Sequence, residues 1–161
     1  MLIRTTDANG IEFSGDAPHL DDSIIAALNT FELSKKKVKD RIDNLDISSD
    51  SKFMLHSLVD KTIEVVVDTG KVVIWIGRKI LEVVIFVGRH FPNATFGMLL
   101  GAVLGILIAS IPIIGWLLGG IAPLLAILGL SLGAIEDFKQ ALARDPRVRE
   151  VFSQFDSLRT I

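Results

Sequence analysis

The chain has 161 residues, half of them hydrophobic, with 17 Lys and Arg against 19 Asp and Glu and a mean hydropathy of +0.50. That length suits one domain, or a small polar portion joined to an apolar one, and the balanced charge excludes the basic footprint of a nucleic-acid binder. No cysteine is present, which removes both a disulfide framework and thiolate chemistry.

The opening "MLIRTTDANGIEFSGDAPH" lacks the basic region followed by an apolar region that marks a secretory signal, so any membrane contact is expected through internal segments. It alternates weakly around Asp7-Ala8-Asn9-Gly10. The Asn-Gly pair tolerates positive φ, which leaves a small β-hairpin and a frayed polar tail equally open. "LDDSIIAALNTFELSKKKVKDRIDNLDI" then reads as helix, with Asp21 and Asp22 at the positive end of its dipole and Lys35, Lys36 and Lys37 later. Ile24, Ile25, Leu28, Phe31 and Leu33 make its apolar face. "SSDSK" breaks the pattern, with Ser49 or Asp50 as cap for a second helix.

Between Lys52 and Phe91 two readings compete. "TIEVVVDTGKVVIWIG" fits two β-branched strands joined by Asp68-Thr69-Gly70. Against that, Ser57, Lys61, Glu64, Asp68, Lys71, Arg78, Glu82 and Arg89 recur at heptad-like spacing, which on a helix lines one narrow face. The long helix is the expected form. Its apolar face, with Val65, Val73, Ile80, Val84 and Val87, is wider than its charged stripe, the inverse of an ordinary surface helix. Either internal ion pairs such as Arg78 with Glu82 satisfy a central helix, or lipid covers most of it while water follows Lys71, Arg78, Glu82 and Arg89, the candidate pore-lining stripe.

Pro92 ends that helix, and Asn93 or Thr95 can cap the next. From Phe96 to Gly133 there is no charged residue, the mark of a segment whose solvent is lipid. One apolar pass is expected from Ala94 to Ile111, a tight turn at Pro112 to Gly115, and a second pass, kinked by Pro123, ending near Ile135. A pass of this length spans roughly 27 Å, close to a bilayer core. Trp116 suits an interfacial anchor. Gly97, Gly101, Gly105 and Ala109 share one helical face in the first pass, as do Gly115, Gly119, Ala122, Ala126, Gly129 and Gly133 in the second. Such small-residue stripes let helix backbones approach, within the hairpin or between subunits. Positive residues flank the block and its turn has none, so both termini are expected on the cytoplasmic side of an inner membrane. The polar C-terminal segment, with Leu142, Val148, Val151, Phe155 and Leu158 on one side, suits a membrane surface or the N-terminal helix.

These elements predict an all-α membrane protein. Residues 1–50 form a soluble region with an amphipathic helix, 51–91 a long amphipathic helix, 92–135 a transmembrane helical hairpin, and 136–161 a surface segment. No catalytic arrangement stands out. His19, His56 and His90 are far apart and lack metal-ligand spacing, and no phosphate loop or nucleophile elbow occurs. No catalytic residue, cofactor or metal is expected.

The pattern of an uncharged hairpin from Ala94 to Ile135 accompanied by amphipathic helices resembles the pore-forming colicins over Thr62 to Phe138. The resemblance is one of pattern, with generic motifs, and carries no functional residue across. The chain lacks the receptor-binding and translocation regions of such toxins, so the resemblance implies an effector acting from inside the cell that makes it. The expectation is a small integral membrane protein that oligomerises and permeabilises or remodels the membrane, with lipid bilayer and its own copies as partners and no nucleic acid. The alternatives are a non-catalytic anchor or adaptor docking a soluble protein partner, and a soluble protein that shields the hairpin until triggered.

Overall fold

The computed structural model describes residues 1–118 and 132–161, and the side chains of 132–136 lie outside that description. The elements, in chain order, are β1 (Leu2–Thr6), β2 (Glu12–Asp16), α1 (Asp22–Leu28), α2 (Lys35–Asp43), α3 (Ser49–Val59), β3 (Ile63–Val67), β4 (Gly70–Ile74), α4 (Ile76–His90), α5 (Phe96–Ser110), α6 (Pro112–Leu117), α7 (Leu132–Arg144) and α8 (Pro146–Asp156).

Four antiparallel strands make one sheet in the order β2-β1-β3-β4. Of the two readings open for the N-terminus, the structure shows the hairpin: β1 and β2 pair across a turn where Gly10 takes φ 81°. The two faces of the sheet differ. Ile3, Thr5, Ile63, Val65 and Ile74 are buried on one. On the other, Glu64 accepts from Arg4 Nε at 2.8 Å and from Lys71 Nζ at 2.6 Å, a charge ladder across three strands. Both chain ends finish this layer. Ile161 N donates to Asp16 O at 3.1 Å and the Met1 ammonium to Ala17 O at 3.0 Å. Thr160 crosses so close to Gly15 that a Cβ there would stand 2.8 Å from Thr160 Cγ2.

The expected all-α fold is therefore corrected to a mixed α/β one. The span from 51 to 91, expected as one long helix, holds α3, the β3–β4 hairpin and α4. Two local effects decide this. Ile63, Val65, Val66, Val67, Val72, Val73 and Ile74 are β-branched and stiff at χ1, which favours a pleated surface. Gly70, at φ 138°, sits where no helix can pass. The heptad-like spacing of Glu64 and Lys71 is a coincidence of period, since the hairpin also brings them to one face.

Five helices start at side-chain caps: Asp21 for α1, Ser34 for α2, Ser48 for α3, Thr95 for α5 and Asp145 for α8. Ser48 thus takes the place expected of Ser49 or Asp50. At the start of α4, Gly77 meets the C-terminal end of α3, where an added Cβ would lie only 1.7 Å from Leu58 O.

The uncharged helix α5 is the centre of the core, with Leu100, Ala102, Val103 and Leu104 fully buried and α4, α6 and α7 packed around it. At 15 residues it is about 22 Å long, and Pro112 opens the six-residue α6 directly after it. No helix among the described residues is long and apolar enough to cross a membrane. That finding overturns the integral membrane pore-former, the transmembrane helical hairpin and the inner-membrane location with spanning helices. The physical reason is length and packing: α5 has 15 residues, and α4, α6 and α7 pack on it. Most of the expected second pass falls on residues 119–131, outside the described residues.

Candidate functional site

The charged groups of α4 meet the connection between α1 and α2, residues 29–34. Asn29 begins it by acting as a strand neighbour to β4. Its Nδ2 donates to Val73 O at 2.9 Å and its Oδ1 accepts from Trp75 N at 3.0 Å, which occupies part of an otherwise open sheet edge. Lys79 Nζ donates to Thr30 O at 2.9 Å and Arg78 Nη2 to Leu33 O at 2.8 Å. The Arg78 guanidinium lies over the Phe31 ring, 3.9 Å from its centroid.

Glu82 completes the clamp. It is 8% exposed, and its two oxygens accept from the backbone N–H groups of Glu32 and Leu33 at 3.2 and 3.3 Å. The nearest cation is Lys79 at 3.9 Å, so Lys79 stands where Arg78 was expected as its partner. Arg89 reaches Glu32 at 3.4 Å, and Lys71 stands apart on β4, paired with Glu64. The four residues of the candidate stripe thus divide between a strap over α4 and the polar face of the sheet. Phe31 and Leu33, expected on a helix face, belong to the strap.

The small residues fall in several places. Gly97, Gly101, Gly105 and Ala109 are on α5, with Gly101 buried and Ala109 exposed. Gly105 faces α7, where an added Cβ would stand 3.6 Å from the Lys139 side chain. Gly115 is on α6, with Ile108 O 3.3 Å from where its Cβ would be. Gly133 lies on α7, and Gly119, Ala122, Ala126 and Gly129 lie outside the described residues.

Two concave regions sit beside this framework. A groove of about 230 Å³ runs between α2, α4 and α5, walled by Val38, Ile42, Leu45, Leu81, Val84, Ile85, Gly88, Phe96 and Leu99, with Arg41 and Arg89 as its only charged lining residues among the described residues. A notch of about 400 Å³ lies between the β1–β2 turn, α3 and α6. Phe53 stands beside it 76% exposed, and Trp116 lines it while packing on Phe13 with ring centroids 5.7 Å apart. Neither region was legible beforehand, because each joins elements distant in sequence. The one local signal was Ser34 ahead of "KKKVKDR", a helix start that separates the strap from α2.

Several carboxylates are committed to structure. Asp60 is held below the usual carboxylate range by its hydrogen bond with Lys35, at 2.7 Å. Hydrogen bonds from Lys71, then Arg4, lower Glu64. His56 pairs with Asp43 at 2.7 Å. Among the described residues no group of three or more His, Asp or Glu converges as a metal site. No protein-family model, curated protein or solved structure matches this chain.

Proposed function

We propose that the chain is a non-catalytic module that keeps its uncharged helix packed within its own fold. The observation that carries this reading is the burial of α5: Leu100, Ala102, Val103 and Leu104 are all at 0% exposure, beneath α4, α6 and α7. Burying a leucine or valine of this kind stabilises a fold by roughly 1.5–3 kcal/mol, so the helix gains from protein neighbours what lipid would otherwise supply. The non-catalytic part is supported by the use of the polar groups. Glu82, Asp60 and Glu64 each hold another part of the fold and leave no convergent acid–base pair among them. The near-balanced charge favours a protein over a nucleic acid as partner.

The test is extraction and hydrodynamics of the full chain. The shielding fold predicts release from membranes by alkaline carbonate and a monodisperse species in detergent-free buffer. Retention in the carbonate-washed pellet, with solubility only in detergent, overturns it.

A further inference from the structure

We propose that the groove between α2, α4 and α5 binds a single-chain amphiphile with an anionic head, a medium-chain fatty carboxylate. The alkyl chain would lie along the partly exposed Leu45, Ile85 and Phe96, over the buried Val38, Leu81 and Val84, and the head group would sit against Arg41 and Arg89. The proposal goes beyond the shielding fold.

Three observations converge on this ligand class. The first is size and polarity. At about 30 Å³ for each water-sized group, a groove of about 230 Å³ holds on the order of eight methylene-sized groups, a medium chain and not a long one. The second is charge. Among the described residues no carboxylate lines the groove, and its two charged residues are both arginines. Among the described residues Arg41 makes no ion pair. Arg89 has only a 3.4 Å contact to Glu32, with side chains 50% and 71% exposed, a loose pair of the kind that is worth little in water. Both guanidinium groups are thus able to take a carboxylate in their planar fork. Phe96 is the first residue of α5 and adds the positive end of a helix dipole to the lining.

The third observation is Gly88. Glycine within a helix is disfavoured against alanine, yet it stands in the last turn of α4. A Cβ there would come 3.1 Å from Leu99 Cδ1, so any larger residue would displace Leu99, a side chain of the groove wall.

Methyl-detected NMR titration of the full chain tests this, with sodium octanoate below its micelle concentration, 1-octanol, and vesicles of anionic phospholipid as probes. Octanoate should give saturable shifts at Leu45 and Ile85 and at Leu99 beneath them, with octanol about tenfold weaker because it lacks the charge. Arg41→Ala should weaken octanoate about fivefold or more and leave octanol unchanged. Ile85→Trp, which fills the groove, should abolish both. The Arg41 variant, at an exposed position, keeps the test decisive if the Trp variant does not fold. Absence of saturable octanoate shifts, equal affinity for octanol and octanoate, shifts centred on Phe53 and Trp116, or binding to vesicles alone would each overturn the proposal.

Discussion

Glu82 holds a six-residue strap with two hydrogen bonds, and its loss would strand the N–H groups of Glu32 and Leu33. Glu82→Ala is therefore expected to destabilise the fold by about 2–3 kcal/mol in urea unfolding. Glu82→Gln retains one acceptor oxygen and should cost about half as much. A cost under about 0.5 kcal/mol for the alanine variant would mean that the strap is held elsewhere. Phe53, 76% exposed, is the contrasting residue, and Phe53→Ser should fall within about 0.5 kcal/mol of the parent. The charge stripe was legible in sequence, but its partners were not. Glu82 binds backbone groups some fifty residues away, and backbone N–H groups leave no trace in composition. At the other end of the chain, the hydrogen bond from Arg147 holds the Asp145 carboxyl down to about 2. Since the folded value lies below the ordinary aspartate value of 3.8, the stabilisation is present above that value and is lost as pH falls through about 2. The Arg147 amide shift should titrate with that low midpoint, and Asp145→Asn should abolish the titration.

The elements show where periodicity misleads. Charged residues at heptad-like spacing read as helix across Lys61 to Lys71, but Gly70 at φ 138° and a β-branched run impose a hairpin. Spacing records only which residues recur, and a strand pair can satisfy the same recurrence. Glycines separate by what their missing Cβ would meet. Gly77→Ala would drive a carbon to within 1.7 Å of Leu58 O, a backbone atom that cannot turn aside, and should cost about 3 kcal/mol as α3 and α4 move apart. Gly105→Ala meets the Lys139 side chain at 3.6 Å, an ordinary contact. It should stabilise by up to about 1 kcal/mol through helix propensity. Thermal unfolding of the two variants checks both signs. Destabilisation by Gly105→Ala would show that α5 and α7 approach more closely than this geometry allows.

For the whole molecule, the uncharged block called for burial of α5 without naming the neighbour. Hydrocarbon and a protein core are alike apolar, so composition alone reads the same for both. The end expected at Pro112 is where α5 stops, after 15 residues, but the following residues turn back onto β1 and β2 through α6, a contact that no local pattern announces. A helix enclosed along its middle and emerging at one end makes a graded prediction. Leu104 and Ile108 are one helical turn apart on the same face, yet Leu104 is fully buried and Ile108 is 37% exposed. Leu104→Ala should therefore cost about 2–5 kcal/mol, the range for a cavity in a packed core. Ile108→Ser should cost about 1 kcal/mol or less, as for a position already wet. Urea unfolding in detergent-free buffer measures both. Equal costs for the two substitutions would place the whole face in one environment and reject the enclosed helix.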